Sequence, residues 1–190
     1  MEDEHEKKAL IGGILERTSF WIGNVDAKAS FLLSITGVIL GFVLSNESIE
    51  KTVDYLYYHF DYKETQSLIG LVHILIFFLA IVCITLALWA FLNTLRGKVD
   101  QKKIRQRGLE KKSLLFWGGI ADRKYKEYVD DLNEVKVEQL RNDMNTQIYV
   151  NSFITTTKFR VYNHGITLLK LGLVFLVIYK FISFIPIVKP

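Results

Sequence analysis

The stretch LIGLVHILIFFLAIVCITLALWAFL, Leu68 to Leu92, decides the fold. Its 25 residues include one basic side chain, His73, and no acidic one. A bilayer's hydrocarbon core is about 30 Å thick and is crossed by about 20 helical residues, so this block spans as a helix. Two further apolar blocks flank it, Ala29–Leu44 and Ile166–Val188. The first has 16 apolar or small residues, about 24 Å of helix at about 1.5 Å per residue. It crosses only if Val25–Lys28 enters the headgroup zone. The third carries Lys170 and Lys180, and Lys180, about 22 Å of helix beyond Gly165, is placed to snorkel to the far boundary.

Half of the 190 residues are hydrophobic and 13% are aromatic, gathered into these blocks instead of spread along periodic faces. The acidic start, Met1-Glu2-Asp3-Glu4-His5-Glu6, does not read as a cleavable signal. The lone Cys83 lies inside the central block and reads as a small buried hydrophobe.

The expected fold class is an all-α membrane protein, with three transmembrane helices and a helical cytoplasmic region. The expected division is an N-terminal helix over 1–28, spans over 29–45, 68–92 and 165–188, an external loop over 46–67, and a basic linker with helices over 93–163. Fifteen of the 24 Lys and Arg lie in residues 93–163, against Lys51 and Lys63 in 46–67. The Lys/Arg bias of loops orients membrane proteins, so the N-terminus and 93–163 are expected in the cytoplasm. The cluster after the second span suits anionic headgroups. No nucleic-acid partner is expected, because no zinc-finger, RNP-like or helix-turn-helix pattern accompanies the net charge of +4.

Over residues 121–160 two apolar stripes follow one another. Tyr125, Tyr128, Val129, Leu132 and Val135 form the first; Leu140, Met144, Ile148 and Phe153 form the second. The phase changes near Lys136–Gln139, as in two helices or one bent helix packing on the N-terminal helix. Before them stands Ser113-Leu114-Leu115-Phe116-Trp117-Gly118-Gly119-Ile120-Ala121. Phe116, Trp117, Gly118 and Gly119 are the expected ligand loop, with Arg105 or Arg123 for phosphate charge. Glycines let backbone N–H groups approach an anion, and an aromatic ring can stack on a base. A hydrophobic turn anchoring the linker accounts for the same residues.

At the first span, Asp26, Ser30, Ser34, Gly37, Gly41 and Ser45 fall on one helical face. This small-residue seam lets helices approach closely in lipid, either inside one chain or between copies in a homo-oligomer. Asp26 at its end needs a cation, and Lys158 and Arg160 are the candidates. Lys28 points elsewhere, toward headgroups. No catalytic or metal-ligating set is expected: His5, His59, His73 and His164 lack ligand spacing, and no Walker loop, nucleophile elbow or HExxH occurs.

Leu15-Glu16-Arg17, Trp21-Ile22, Asp26-Ala27-Lys28-Ala29, Leu33 and Gly37, followed by Ser113–Gly118, Ile120-Ala121, Tyr128, Gln139-Leu140, Gln147, Asn151-Ser152, Ile154 and Lys158, make the chain resemble the transmembrane effectors of bacterial cyclic-pyrimidine antiphage systems, called Pycsar. The resemblance runs nearly end to end. It implies an effector of the bacterial inner membrane; neither enzymatic activity nor a cofactor is expected. In such systems a nucleotide cyclase makes cyclic CMP or cyclic UMP, and the effector answers by impairing the membrane. The rival expectations are an effector answering cyclic oligonucleotides or a protein signal, and a passive scaffold docking a soluble partner.

Overall fold

The structure, a computed structural model, describes residues 2–61, 65–96, 108–110 and 112–184. Among them every regular element is helical: α1 (Glu2–Val43), α2 (Asn46–Asp61), α3 (Thr65–Leu95), α4 (Trp117–Ala121), α5 (Tyr125–Glu134) and α6 (Val137–Ile182). Three stretches are long and apolar enough to cross a membrane: His5–Val43, Gly70–Leu95 and Val137–Ile182. The protein is thus an all-α membrane protein. The chain divides into two compact units, one of Met1–Asp26 with Gly97–Phe159 and one of Ala27–Arg96 with Arg160–Pro190.

In the second, span-bearing unit, buried positions on α3 run Gly70, His73, Phe77, Ala80, Ile84, Ala87, Phe91 and Thr94. Steps of three and four keep one seam facing neighbouring helices, as in a coiled coil. On α6 the same rhythm runs Gly165, Leu169, Gly172 and Tyr179; on α1, Ala29, Thr36 and Val43 are buried, with Leu32 and Ile39 partly so. Two apolar clusters result. Val43, Phe77, Ile84 and Tyr179 make one, and Ala87, Phe91 and Leu169 the other.

Small residues set how closely α6 approaches α3. A Cβ on Gly165 would meet the Phe91 ring at 2.8 Å, and one on Gly172 would meet Ile84 Cγ1 at 2.7 Å. Without a hydrophobic drive between helices in lipid, such contact supplies the packing.

The segment expected as a loop over 46–67 is helical over Asn46–Asp61. Its apolar residues Ile49, Val53 and Leu56 recur at helical spacing and are exposed, while Ser48 and Thr52 turn inward. There the Tyr179 hydroxyl donates to Ser48 O at 3.0 Å and lies 3.2 Å from Thr52 Oγ1. His73 completes this polar end, with Nε2 2.9 Å from Ser183 Oγ and its ring stacked obliquely on Tyr179. Lys180 is exposed, its Nζ 5.8 Å from the centre of the Tyr179 ring. On the outer face of α2, Lys51 Nζ donates to Glu47 Oε1 at 2.8 Å. That bond, the Lys51 charge and Lys180 hold the Glu47 carboxyl below its ordinary value.

In the first unit, the early part of α1 packs along the early part of α6. Trp21 meets Phe159 edge-on at 6.2 Å, Asn151 Nδ2 donates to Ser19 Oγ at 3.4 Å, and the Met144 methyl lies 3.9 Å from where a Cβ on Gly12 would stand. The two stripes of 121–160 belong to separate helices, α5 and α6, parted at Val135, whose φ of −62° and ψ of 128° are extended. Gln139 Oε1 accepts the Lys136 N–H at 3.1 Å and caps the start of α6. The stripe on α5 buries no residue fully, and its Tyr125 and Leu132 are exposed. Past Lys158 the second stripe passes through Asn163-His164-Gly165 without a break in α6.

Candidate functional site

The loop before α4 is built around two side chains that reach it from α6. Asp143 Oδ2 accepts the Leu114 N–H at 2.7 Å and the Leu115 N–H at 3.2 Å. Ser113 Oγ accepts from Leu115 N at 3.1 Å, from Phe116 N at 2.8 Å, and from Gln147 Nε2 at 3.1 Å. Ser113, Leu114, Asp143 and Gln147 are all buried. The amides that begin this loop therefore already hold an anion, the chain's own carboxylate.

Arg123 fastens the other side. Its Nη1 donates to Ser113 O at 2.9 Å, its Nη2 to Lys112 O at 2.7 Å, and its Nε lies 3.4 Å from Asp131 Oδ2. The Arg123 side chain is 12% exposed. Its donors serve the loop's own carbonyls and a carboxylate, so it acts here as a clamp on the backbone. Arg105, the other cation expected for phosphate, lies outside the described residues.

The glycines have a local reason. A Cβ on Gly119 would stand 2.9 Å from Ser113 O, and one on Gly118 would stand 2.6 Å from the Phe116 ring. Both positions need a missing side chain for the turn to close, whatever else binds there. Phe116 and Trp117 pair at 5.2 Å between ring centres, and Trp117 is 74% exposed. Trp117 thus presents a free aromatic face.

Beside the loop opens a cleft of about 360 Å³, lined by Glu110, Lys112, Leu114, Arg123, Asp131, Glu134, Val135, Lys136, Gln139, Leu140 and Asp143. Leu114 and Asp143 are its buried members. Asp143 and the cleft are what sequence reasoning missed. The residue sits one position before Met144 on the second stripe, and an acid beside an apolar stripe was the signal available. Among the described residues no group of three His, Cys, Asp or Glu is placed to hold a metal ion.

The charged pair at the first span's entry is also in the first unit. Lys158 Nζ donates to Asp26 Oδ1 at 2.5 Å, with the lysine side chain 11% and the aspartate 35% exposed. Of the two cations expected opposite Asp26, Lys158 is the one in contact. Arg160 and Lys28 are exposed. Along α1, Ser30, Ser34, Gly37 and Gly41 are exposed, and no described residue lies within 4 Å of a Cβ built on either glycine. Inside the span unit the close helix contacts among the described residues are made at Gly165 and Gly172.

Three stretches able to cross a membrane and a polar helical unit with an open cleft define a multi-span α-helical membrane protein. Comparison with known sequences specifies the class further. The Pycsar effector protein domain matches residues 11–185, and the chain belongs to that family. It is 32% identical over 177 residues to the Pycsar effector protein GmPycTM of Gulbenkiania mobilis, which covers 86% of each chain. No solved structure matches. The protein is accordingly a membrane effector of antiphage defence, of a family that is no known enzyme class and that works with a cyclase system.

Proposed function

We propose that the protein is an effector of the bacterial inner membrane, activated by a cyclic pyrimidine nucleotide, cyclic CMP or cyclic UMP, to impair membrane integrity. The carrying observation is family membership over nearly the whole chain, residues 11–185, in a chain with three helices able to cross a bilayer. No cofactor enters this scheme; the nucleotide is an activating ligand supplied by the cyclase. The excess of Lys and Arg in 93–163 supports a cytoplasmic location for that segment and for the N-terminus. The polar unit is then on the side where the nucleotide is made.

The nucleotide is read by the polar helical unit, whose loop Phe116–Gly119 offers the exposed Trp117 ring for stacking. Arg123 acts through the loop it clamps, and Arg105 supplies further charge. Activation requires that the ligand favour one arrangement of the chain over another, since a ligand bound equally by both shifts nothing. Copies of the chain associate through the open seam Ser30, Ser34, Gly37 and Gly41, where backbones can approach in lipid. The Asp26–Lys158 pair fixes α1 against α6 at the seam's end.

Purified protein in dye-loaded liposomes tests this. Leakage is expected with cyclic CMP or cyclic UMP and not without nucleotide. Leakage with cyclic oligonucleotides alone favours the rival trigger, and no nucleotide-dependent leakage with any of them overturns the proposal in favour of a docking scaffold.

A further inference from the structure

The two carboxylate oxygens of Asp143 are engaged differently among the described residues. Oδ2 takes the Leu114 and Leu115 amides, while Oδ1 is buried and has no hydrogen-bond partner among the described residues. The residue is 3% exposed and lines the cleft. Buried polar atoms are nearly always paired, and an ionised carboxylate can only accept. The missing partner is a donor.

The other charges around the cleft narrow the ligand's class. Asp131 is held by Arg123, and Glu110 Oε1 accepts the Lys112 N–H at 3.1 Å. Lys112 and Lys136 are exposed lining residues, as is Glu134. Buried Asp143 and Leu114 thus form a floor that asks for an N–H donor and offers an apolar contact. The rim has two lysines suited to an anion, Lys112 and Lys136, and three acids, Glu110, Glu134 and the Arg123-paired Asp131, which oppose high negative charge. A singly charged phosphodiester attached to a base with an N–H fits this pattern; a doubly charged terminal phosphate fits it less well. The volume, about 360 Å³, falls in the range of small-ligand pockets.

We propose that this cleft is the nucleotide site, with Asp143 Oδ1 accepting an N–H from the base and Lys112 and Lys136 holding the cyclic phosphate. The proposal rests on the reading of the chain as a cyclic-nucleotide-activated effector and names the site of that reading. Both pyrimidines meet the requirement, cytosine through its exocyclic amine and uracil through its ring N3–H. Because Asp143 also anchors the loop that carries Phe116 and Trp117, a ligand at Oδ1 acts on the same carboxylate that holds the loop.

Asp143→Asn makes the test specific. The asparagine oxygen keeps both amide hydrogen bonds, while its NH2 replaces Oδ1 and turns the acceptor into a donor. Cyclic CMP, UMP, AMP and GMP are titrated against the full-length protein in detergent, with the melting temperature recorded for each variant. The expected result is cyclic pyrimidine binding by the native chain, weakened about 10- to 100-fold in Asp143→Asn at unchanged melting temperature. Lys112→Gln with Lys136→Gln is expected to weaken it further and to flatten its salt dependence.

A ligand-side arm keeps the answer clear if the variant melts early. Cyclic UMP methylated at N3 and cyclic CMP dimethylated at N4 lack the donor and are expected to bind the native chain at least tenfold more weakly. Pyrimidine binding that survives both Asp143→Asn and methylation overturns the cleft proposal and leaves the cyclic-pyrimidine reading standing. Binding of the purine nucleotides alone, lost in Asp143→Asn, supports the cleft and overturns the pyrimidine reading. Binding of none of the four overturns both.

Discussion

The span unit and the polar unit are held together by different physics. Around α3 the decisive contacts are between carbon atoms at glycines: Gly165 against Phe91 and Gly172 against Ile84. Around Ser113 they are directed hydrogen bonds, in which Asp143, Gln147 and Arg123 tie a loop to helices. The lesson is that one chain keeps its shape by the absence of side chains where lipid removes the hydrophobic drive, and by donor–acceptor matching elsewhere. The first kind of contact fails when volume is added, and the second when a partner is removed.

The largest test adds volume. Gly172→Leu places a side chain where even a Cβ comes within 2.7 Å of Ile84 and should destabilise the bundle by about 3 kcal/mol, as overpacking does. Gly37→Leu, with no described residue near its Cβ, should leave or slightly raise single-chain stability, since leucine is the better helix former by up to about 1 kcal/mol. Thermal unfolding in detergent reads both. Equal losses at the two positions would break the contrast.

A middle-sized test removes a partner. Lys158→Met keeps the side chain's length but leaves Asp26 without its ammonium, and a lost hydrogen bond to a charged group costs about 2 kcal/mol. Recovery of the melting temperature in the double variant Asp26→Asn with Lys158→Met would show that the cost is an unpaired charge and not lost packing. Failure to recover would assign it to packing.

The smallest effect concerns Glu47. Its carboxyl is held below the ordinary value of 4.5 by Lys51, through the hydrogen bond first and the charge second. A carboxylate whose folded value is depressed adds stability above its unfolded value and loses it as pH falls through the lowered one. Acidification below the ordinary value should therefore weaken α2 slightly in the native chain and not in Glu47→Gln, read as helicity by circular dichroism. Because the pair is exposed, an acid effect as large as the loss expected of Lys158→Met would contradict it.

Legibility in the sequence followed the same division. The spans were readable because 25 uninterrupted residues without acid have few other uses. The face of α3 that packs was not, since lipid-facing Leu75 and Phe78 are as apolar as buried Phe77 and Ile84. Periodicity needs contrast, and there was none. Gly37 and Gly41 of α1 were expected to serve packing inside one chain or between copies, while the close-contact glycines of α6 stood between lysines and drew less notice. The requirement of a cation for Asp26 was legible, because a charge at a membrane entry is costly alone.

The loop was only half legible. Phe116–Gly119 stood out by composition, but the glycines' close neighbours, the Ser113 carbonyl and the Phe116 ring, depend on a turn that no local pattern announces. Asp143 supplies the turn's anchor from 28 and 29 residues away. Such pairings leave no spacing signature. The segment 46–67 was expected as an external loop; within it Asn46–Asp61 is helical, and its Ser48 and Thr52 meet Tyr179 of α6.

Helices α1 and α6 each run unbroken from one compact unit into the other. There is consequently no seam at which to divide the protein. A cut that freed the polar half would sever two helices in mid-course, baring four carbonyls or four amides at every new end and splitting the chain near Asp26 and Phe159, beside the pair that Asp26 makes with Lys158. A stand-alone sensor fragment would lack the helical continuations that hold its ends, so screening for ligands belongs with the intact membrane protein.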